Sequence, residues 1–224
     1  LASAFIRAAC IPLDGSDHTS GDIELAQTLL AANPQIATDN IYVAAMLGDD
    51  AAVAKFVAHD SSIATGKGSP FGWDALTHLA FSKYLHLEPD RSDSFVKTAT
   101  VLLDAGADPN TGFFSDEHTP QPIWESVLYG AAGIAHNPDL ARLLLDRGAD
   151  PNDGETDYHA PEGFDNRAMM VVAKSGKLVP DGFTTMLIRK LDWTDYDGAQ
   201  WLLENGADAN AMAKWGGRPL DHAL

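Results

Sequence analysis

The chain has 224 residues, 45% of them hydrophobic and 21% charged, a composition that can bury a core and that excludes intrinsic disorder. The 15 basic and 32 acidic side chains leave −17 at pH 7, a field that repels phosphate backbones and argues against nucleic acid as a partner. The single cysteine, Cys10, excludes an internal disulfide and any multi-cysteine metal centre.

The surplus carboxylates fit a basic partner, but solubility alone explains them as well. The most apolar stretches, such as Ile41–Leu47 and Met169–Ala173, fall short of the roughly 20 residues a membrane span needs. Leu1–Leu13 is apolar but carries Arg7 and lacks a basic start, which makes it a poor signal peptide. With one cysteine, these features point to the cytoplasm. The chain begins without Met and stops inside a pattern, so a fragment of a larger protein is expected.

In chain order, Ser3-Ala-Phe-Ile-Arg-Ala-Ala9 reads as a first helix, and Leu29-Leu30 with Ile36-Ala-Thr38 as the end of its partner. Asp39-Asn-Ile-Tyr-Val-Ala-Ala45 opens a second unit that closes through Phe56-Val57 and Ile63-Ala-Thr65. Asp74-Ala-Leu-Thr-His-Leu-Ala80 opens a third, whose closing Leu102 comes 28 residues after Asp74. Ser126-Val-Leu-Tyr-Gly-Ala-Ala132 and Thr184-Thr-Met-Leu-Ile-Arg-Lys190 open the next two, each 18 residues before its closing leucine, Leu144 or Leu202. The third unit therefore carries an insertion near Lys83–Ser92. Arg218-Pro-Leu-Asp-His-Ala-Leu224 begins a sixth. Ser3, Asp39, Asp74, Ser126 and Thr184 are all suited to cap a helix N-terminus.

Three closing segments are near-copies: Leu102-Leu-Asp-Ala-Gly-Ala-Asp-Pro-Asn110, Leu144-Leu-Asp-Arg-Gly-Ala-Asp-Pro-Asn152 and Leu202-Leu-Glu-Asn-Gly-Ala-Asp-Ala-Asn210. The leucine pair ends an amphipathic helix. Gly106, Gly148 or Gly206 supplies the left-handed residue that closes it, and Asp and Asn bond their own backbone in the turn that follows.

This pattern resembles the ankyrin repeat, a unit of about 33 residues with two antiparallel helices and a hairpin-like loop. The resemblance implies an all-α solenoid over 1–224. Its units are 1–38, 39–65, 66–110, 111–152, 153–210 and a truncated sixth at 211–224. It also implies a non-catalytic scaffold that binds another protein through its concave and hairpin face. The alanine-rich, divergent repeats are read as bacterial rather than animal. The histidine of the family's Thr-Pro-Leu-His landmark is replaced by Ile6, Tyr42, Thr77, Tyr129, Leu187 and Asp221, so hydrogen bonds between neighbouring loops must weaken or reroute.

Insertions at 83–92, 111–125 and 153–183 interrupt the stack. The last contains a helical pattern, Asn166-Arg-Ala-Met-Met-Val-Val-Ala173, ended by Ser175-Gly176 and expected to cap or widen the hairpin face. Aromatic and apolar side chains gather at the hairpins: Phe71, Trp73, Phe113, Phe114, Ile123, Trp124 and Trp215. They are read as partner-binding residues, the alternative being that they pack between neighbouring hairpins.

Catalytic chemistry is not evident. Gly66-Lys67 is followed by Gly68, so a phosphate loop fails, and neither Gly-x-Ser-x-Gly nor His-Glu-x-x-His occurs. The segment Asp150–Glu155 starts like a calcium loop, but the sixth and twelfth places hold Glu155 and Pro161. His78 is read as a packed or capping residue. No cofactor, metal or catalytic residue is assigned. Two alternatives stand beside the scaffold: a solenoid arm of a larger protein, and a metal-dependent site built by the insertions from Asp116, His118, Asp157 and His159.

Overall fold

The computed structural model describes residues 1–10, 22–115 and 121–223. Its helices are α1 Ala2–Ala9, α2 Ile23–Ala32, α3 Ile41–Met46, α4 Asp50–His59, α5 Ala75–Ala80, α6 Lys83–Leu87 and α7 Ser92–Asp104. They continue with α8 Val127–Tyr129, prolonged by a π turn over Gly130–Ile134, then α9 Pro138–Asp146 and α10 Thr156–His159. The last four are α11 Arg167–Ala173, α12 Pro180–Asp192, α13 Tyr196–Glu204 and α14 Pro219–His222. One two-stranded antiparallel ribbon joins β1 Gly112–Ser115 to β2 Ile123–Ser126.

The helices stack in two rows. In the inner row α1, α3, α5, α8, α10, α12 and α14 each pack on the next. In the outer row α4, α7, α9 and α11 do the same, with α2 packed on α1 and α13 on α12. The architecture is an all-α helix-pair solenoid, as its repeats imply. Helix pairs of this kind cannot bury their apolar faces alone and gain stability from their neighbours.

The closing leucines show why. Leu102, Leu144 and Leu202 are fully buried, each worth about 1.5–3 kcal/mol of burial. The second leucine of each pair faces the following outer helix. Leu103 and Leu145 are accordingly buried, whereas Leu203 is 46% exposed, no further outer helix being present among the described residues. Gly106, Gly148 and Gly206 take φ of 96°, 110° and 109°, which lets Ala107, Ala149 and Ala207 donate back to the carbonyls of Leu102, Leu144 and Leu202. At Gly130 a β-carbon would lie 2.9 Å from the carbonyl oxygen of Ala80, so this glycine sets how closely α8 approaches α5.

The stretch 153–210, expected to be one unit with a long insertion, holds two helix pairs. Its α10 packs between the π turn of the fourth pair and α12, and its α11 packs on α9. The segment 166–173 is helical, but it does not widen the hairpin face; it lies in the outer row, packed on α9 and on the π turn Gly130–Ile134. The partial helix α14 therefore follows six pairs, not five. The insertion at 83–92 forms α6 and a 3-10 turn, Pro89–Arg91.

Three expected caps move. Asp74 and Ser126 accept from the amides of Thr77 and Tyr129 as expected. The cap of α3, however, is Asn40 rather than Asp39, and Ser3 lies inside α1. Thr184 lies inside α12, its hydroxyl bonded to the Pro180 carbonyl. That helix starts a turn earlier because Pro180 is preorganised for a first turn.

Candidate protein-binding face

The hairpin edge begins with three identical local turns. The amides of Asn110, Asn152 and Asn210 donate to the carboxylates of Asp108, Asp150 and Asp208 at 2.9, 3.0 and 2.8 Å. Two of these asparagines also bridge to the following pair. Asn110 donates to the Gly148 carbonyl at 3.2 Å and accepts from the Asp150 amide at 2.8 Å. Asn152 repeats this toward the Lys177 carbonyl and the Val179 amide, at 3.0 and 2.9 Å. The contacts expected to weaken without the family's histidine are rerouted through asparagine. Their repetition after Asn152 shows the 153–179 pair joined to the stack like the others.

Side chains between the inner helices add a second ladder. Asp74 bonds the Thr111 hydroxyl, and Asp153 bonds the Ser126 and Thr156 hydroxyls while accepting from the Thr156 amide. Burial raises the Asp153 carboxyl above its usual range despite these donors.

The structure divides the seven sequence-predicted residues into three groups. Trp73 is 5% exposed and stacks on Phe113 at 4.2 Å, with Phe71 at 4.7 Å and Phe81 at 5.9 Å. Phe71 and Phe113 are half-buried and belong to this cluster, and the Arg7 guanidinium sits 5.4 Å over the Phe71 ring. His78 is fully buried beside them, its Nδ1 2.8 Å from the Asp74 carbonyl oxygen. Because successive strand residues point to opposite faces, Phe114 leaves this cluster. It pairs across the ribbon with Trp124, rings edge-on at 4.8 Å, and is 66% exposed. Ile123 is half-buried in the same strand as Trp124. Trp215 stands at the far end of the stack, 45% exposed, its ring edge-on to Tyr158 with centroids 5.9 Å apart.

Comparison with solved structures finds the ankyrin repeat domain of human ASB11, at TM-score 0.60 and 18% identity, covering 83% of this chain and 76% of that one. The chain has the ankyrin-repeat fold. Protein-family models and curated proteins yield no match to the sequence.

Within this ankyrin fold, rings run from the ribbon toward the far end through the inner row. Phe113 meets Phe81 at 4.9 Å, Phe81 meets Tyr129 at 6.1 Å, and Tyr129 meets His159 at 5.1 Å. Tyr158 follows His159 at 4.9 Å and leads to Trp215. Tyr158 also lies 4.1 Å beneath the Arg189 guanidinium. Sequence reasoning missed Tyr158 and Arg189. The signal was Gly154-Glu-Thr156-Asp-Tyr-His159, which preserves the family's Gly-x-Thr-x-x-His spacing.

Of the residues considered for a metal site, the two that are described, Asp157 and His159, have other partners. Asp116 and His118 lie outside the described residues. Asp157 is buried near Lys214, 3.9 Å away, and burial lifts its carboxyl to about 6 against that cation. His159 instead sits 3.2 Å from both Glu155 and Glu162. Burial opposes its charge, but the hydrogen bonds to these two carboxylates prevail and lift the imidazole to about 9. Among the described residues, no three His, Cys, Asp or Glu side chains converge as ion ligands, and no helix is long and apolar enough to cross a membrane.

Proposed function

We propose that this chain is a non-catalytic scaffold that binds a partner protein in the cytoplasm through its hairpin face. The ankyrin fold generally serves protein–protein interaction, and stacked repeats offer an extended surface for it. The observation that carries the reading is the pair Phe114 and Trp124. Trp73, Phe71 and Phe113 pack together against His78 and Phe81 of the third pair, whereas Phe114 projects from the other side of the ribbon, where stacking does not require it. Large aromatics presented to solvent on a rigid support are typical anchors of protein interfaces. Trp215 extends the face, and the −17 charge favours a basic partner.

The test uses the 224-residue chain as bait in an extract of its own source, with Phe114→Asp/Trp215→Asp as the control. Both replaced side chains are exposed, so the control is expected to keep its melting temperature. A protein held by the native chain, lost with the control and released as salt rises supports the reading. Capture of the same set by both baits would refute the hairpin face as the interface. Capture that is indifferent to salt would refute the basic partner.

A further inference from the structure

The edge opposite the hairpins carries a cleft of about 430 Å³. It is built by four successive inter-helix connections: α6, the turn before α9, the loop between α10 and α11, and the turn before α13. Its size falls in the range of small-molecule sites, about 300–1,000 Å³. Tyr129, Ile134, Phe164 and Trp193 supply ring and apolar walls, while His86 and His136 enter from the first two connections. Phe164 and Trp193 are both exposed, their rings edge-on at 6.4 Å.

His136 is the unusual member. Its φ is 46°, a left-handed conformation that an L side chain adopts at a cost and that recurs at functional sites. The Nδ1 atom is buried without a hydrogen-bond partner. Burial, followed by the neighbouring His86, holds this imidazole below its ordinary range, which favours the neutral form. With the proton on Nε2, Nδ1 is an acceptor without a partner; it is shielded from solvent, so a donor entering the cleft reaches it by turning the imidazole.

The charged groups around the cleft are already matched. His159 lies between Glu155 and Glu162, and Glu162 also takes Arg189. Asp165 is held by Arg167, and Lys190 by Asp195. No charge is left over to select a charged ligand. Aromatic walls, neutral surroundings and one unfilled acceptor define the missing group.

We propose that the cleft binds a neutral aromatic ring bearing one N–H or O–H donor, an indole or a phenol, with that donor on Nδ1 of His136. The test titrates the 224-residue chain with indole, p-cresol, toluene and N-acetyltryptophanamide, following the imidazole nitrogens by NMR and the heat by calorimetry. Saturable binding of indole or p-cresol is expected, with a shift of the His136 Nδ1 resonance and at least tenfold weaker binding of toluene. His136→Gly suits the left-handed backbone and removes the acceptor; it should keep the melting temperature and lose at least tenfold in affinity. Trp193→Ala should lose several-fold.

Equal binding of N-acetyltryptophanamide would identify a ring carried on a peptide, and indole alone would identify a free small molecule. Either result supports the site. The proposal is overturned by the absence of saturable binding, by toluene matching p-cresol, or by His136→Gly binding as tightly as the native chain. Zinc chloride alone shifting His86 and His136 together, with no response to the aromatics, would overturn it in favour of a metal.

Discussion

Lys190 and Asp195 are the sharpest place to perturb the stack. Lys190 is fully buried, and its Nζ donates to Asp195 Oδ2 at 2.9 Å and to the Gly163 carbonyl at 2.7 Å. Asp195 also caps α13 by accepting from the Gly198 amide at 3.0 Å, and it accepts from Asn166 Nδ2 at 2.9 Å. Gly163 and Asn166 belong to the connection between α10 and α11, so this network staples the unforeseen fifth pair to the sixth. Asp195→Ala strands a buried ammonium, which costs about 3–5 kcal/mol. The lost cap adds about 1 kcal/mol. Lys190→Met removes the charge and leaves Asp195 two donors, so its cost should be about 1–3 kcal/mol from the unpaired Gly163 carbonyl. Adding Lys190→Met to Asp195→Ala should therefore recover stability. The assay is urea unfolding followed by far-UV circular dichroism, with tryptophan fluorescence reporting Trp193 and Trp201. An Asp195→Ala cost under about 1 kcal/mol, or a double variant no more stable than Asp195→Ala, would refute the reasoning.

Three further outcomes are expected. His159, raised to about 9 from an ordinary 6.5, contributes stability that is complete below about 6.5 and is lost as pH rises through about 9; an NMR titration midpoint at or below 6.5 would contradict this. Asp157, raised from 3.8 to about 6, makes the fold progressively less stable as pH rises from about 4 to about 6. Asp157→Asn should therefore gain over the native chain by up to about 3 kcal/mol at pH 7 and by nothing at pH 3.5, and a gain that does not depend on pH would exclude the carboxyl as its source. Thr194 is exposed with φ of 54°, so Thr194→Gly should trade about 1–2 kcal/mol of left-handed strain for about 0.5–1 kcal/mol of chain entropy and raise the melting temperature slightly. A lower melting temperature would show that the hydroxyl or methyl makes a contact that matters more.

What was legible in the sequence follows the strength of the local signal. Nine-residue copies ending at Asn110, Asn152 and Asn210 carry both the helix end and the turn, and both form as read. The caps Asp74 and Ser126 stand directly before apolar helical runs and were readable for the same reason. The fifth pair was hidden because α11 ends in Val-Val-Ala-Lys-Ser-Gly176, without the leucine pair and the Ala-Asp turn, and because α10 has only four residues. Its marker was the Gly154–Thr156–His159 spacing, which looked like a ligand cluster when only Asp157 and His159 were weighed. For the binding face, aromatic composition located the hairpins but not their orientation. Which of Phe113 and Phe114 packs and which projects depends on strand register, here Phe113 opposite Glu125 and Phe114 opposite Trp124. That register was not readable from two adjacent phenylalanines.

Continuity of the stack underlies both proposed surfaces, because the ring contacts and the cleft each pass through residues 153–179. Hydrogen exchange of the α11 amides, Met170 to Ala173, tests it most directly. In a continuous stack these amides are held against α9 and the π turn Gly130–Ile134 and should open with free energies close to those of α9. If α11 exchanges at loop rates while α9 and α13 stay protected, residues 153–179 are an insertion and the chain is two separate stacks joined by it.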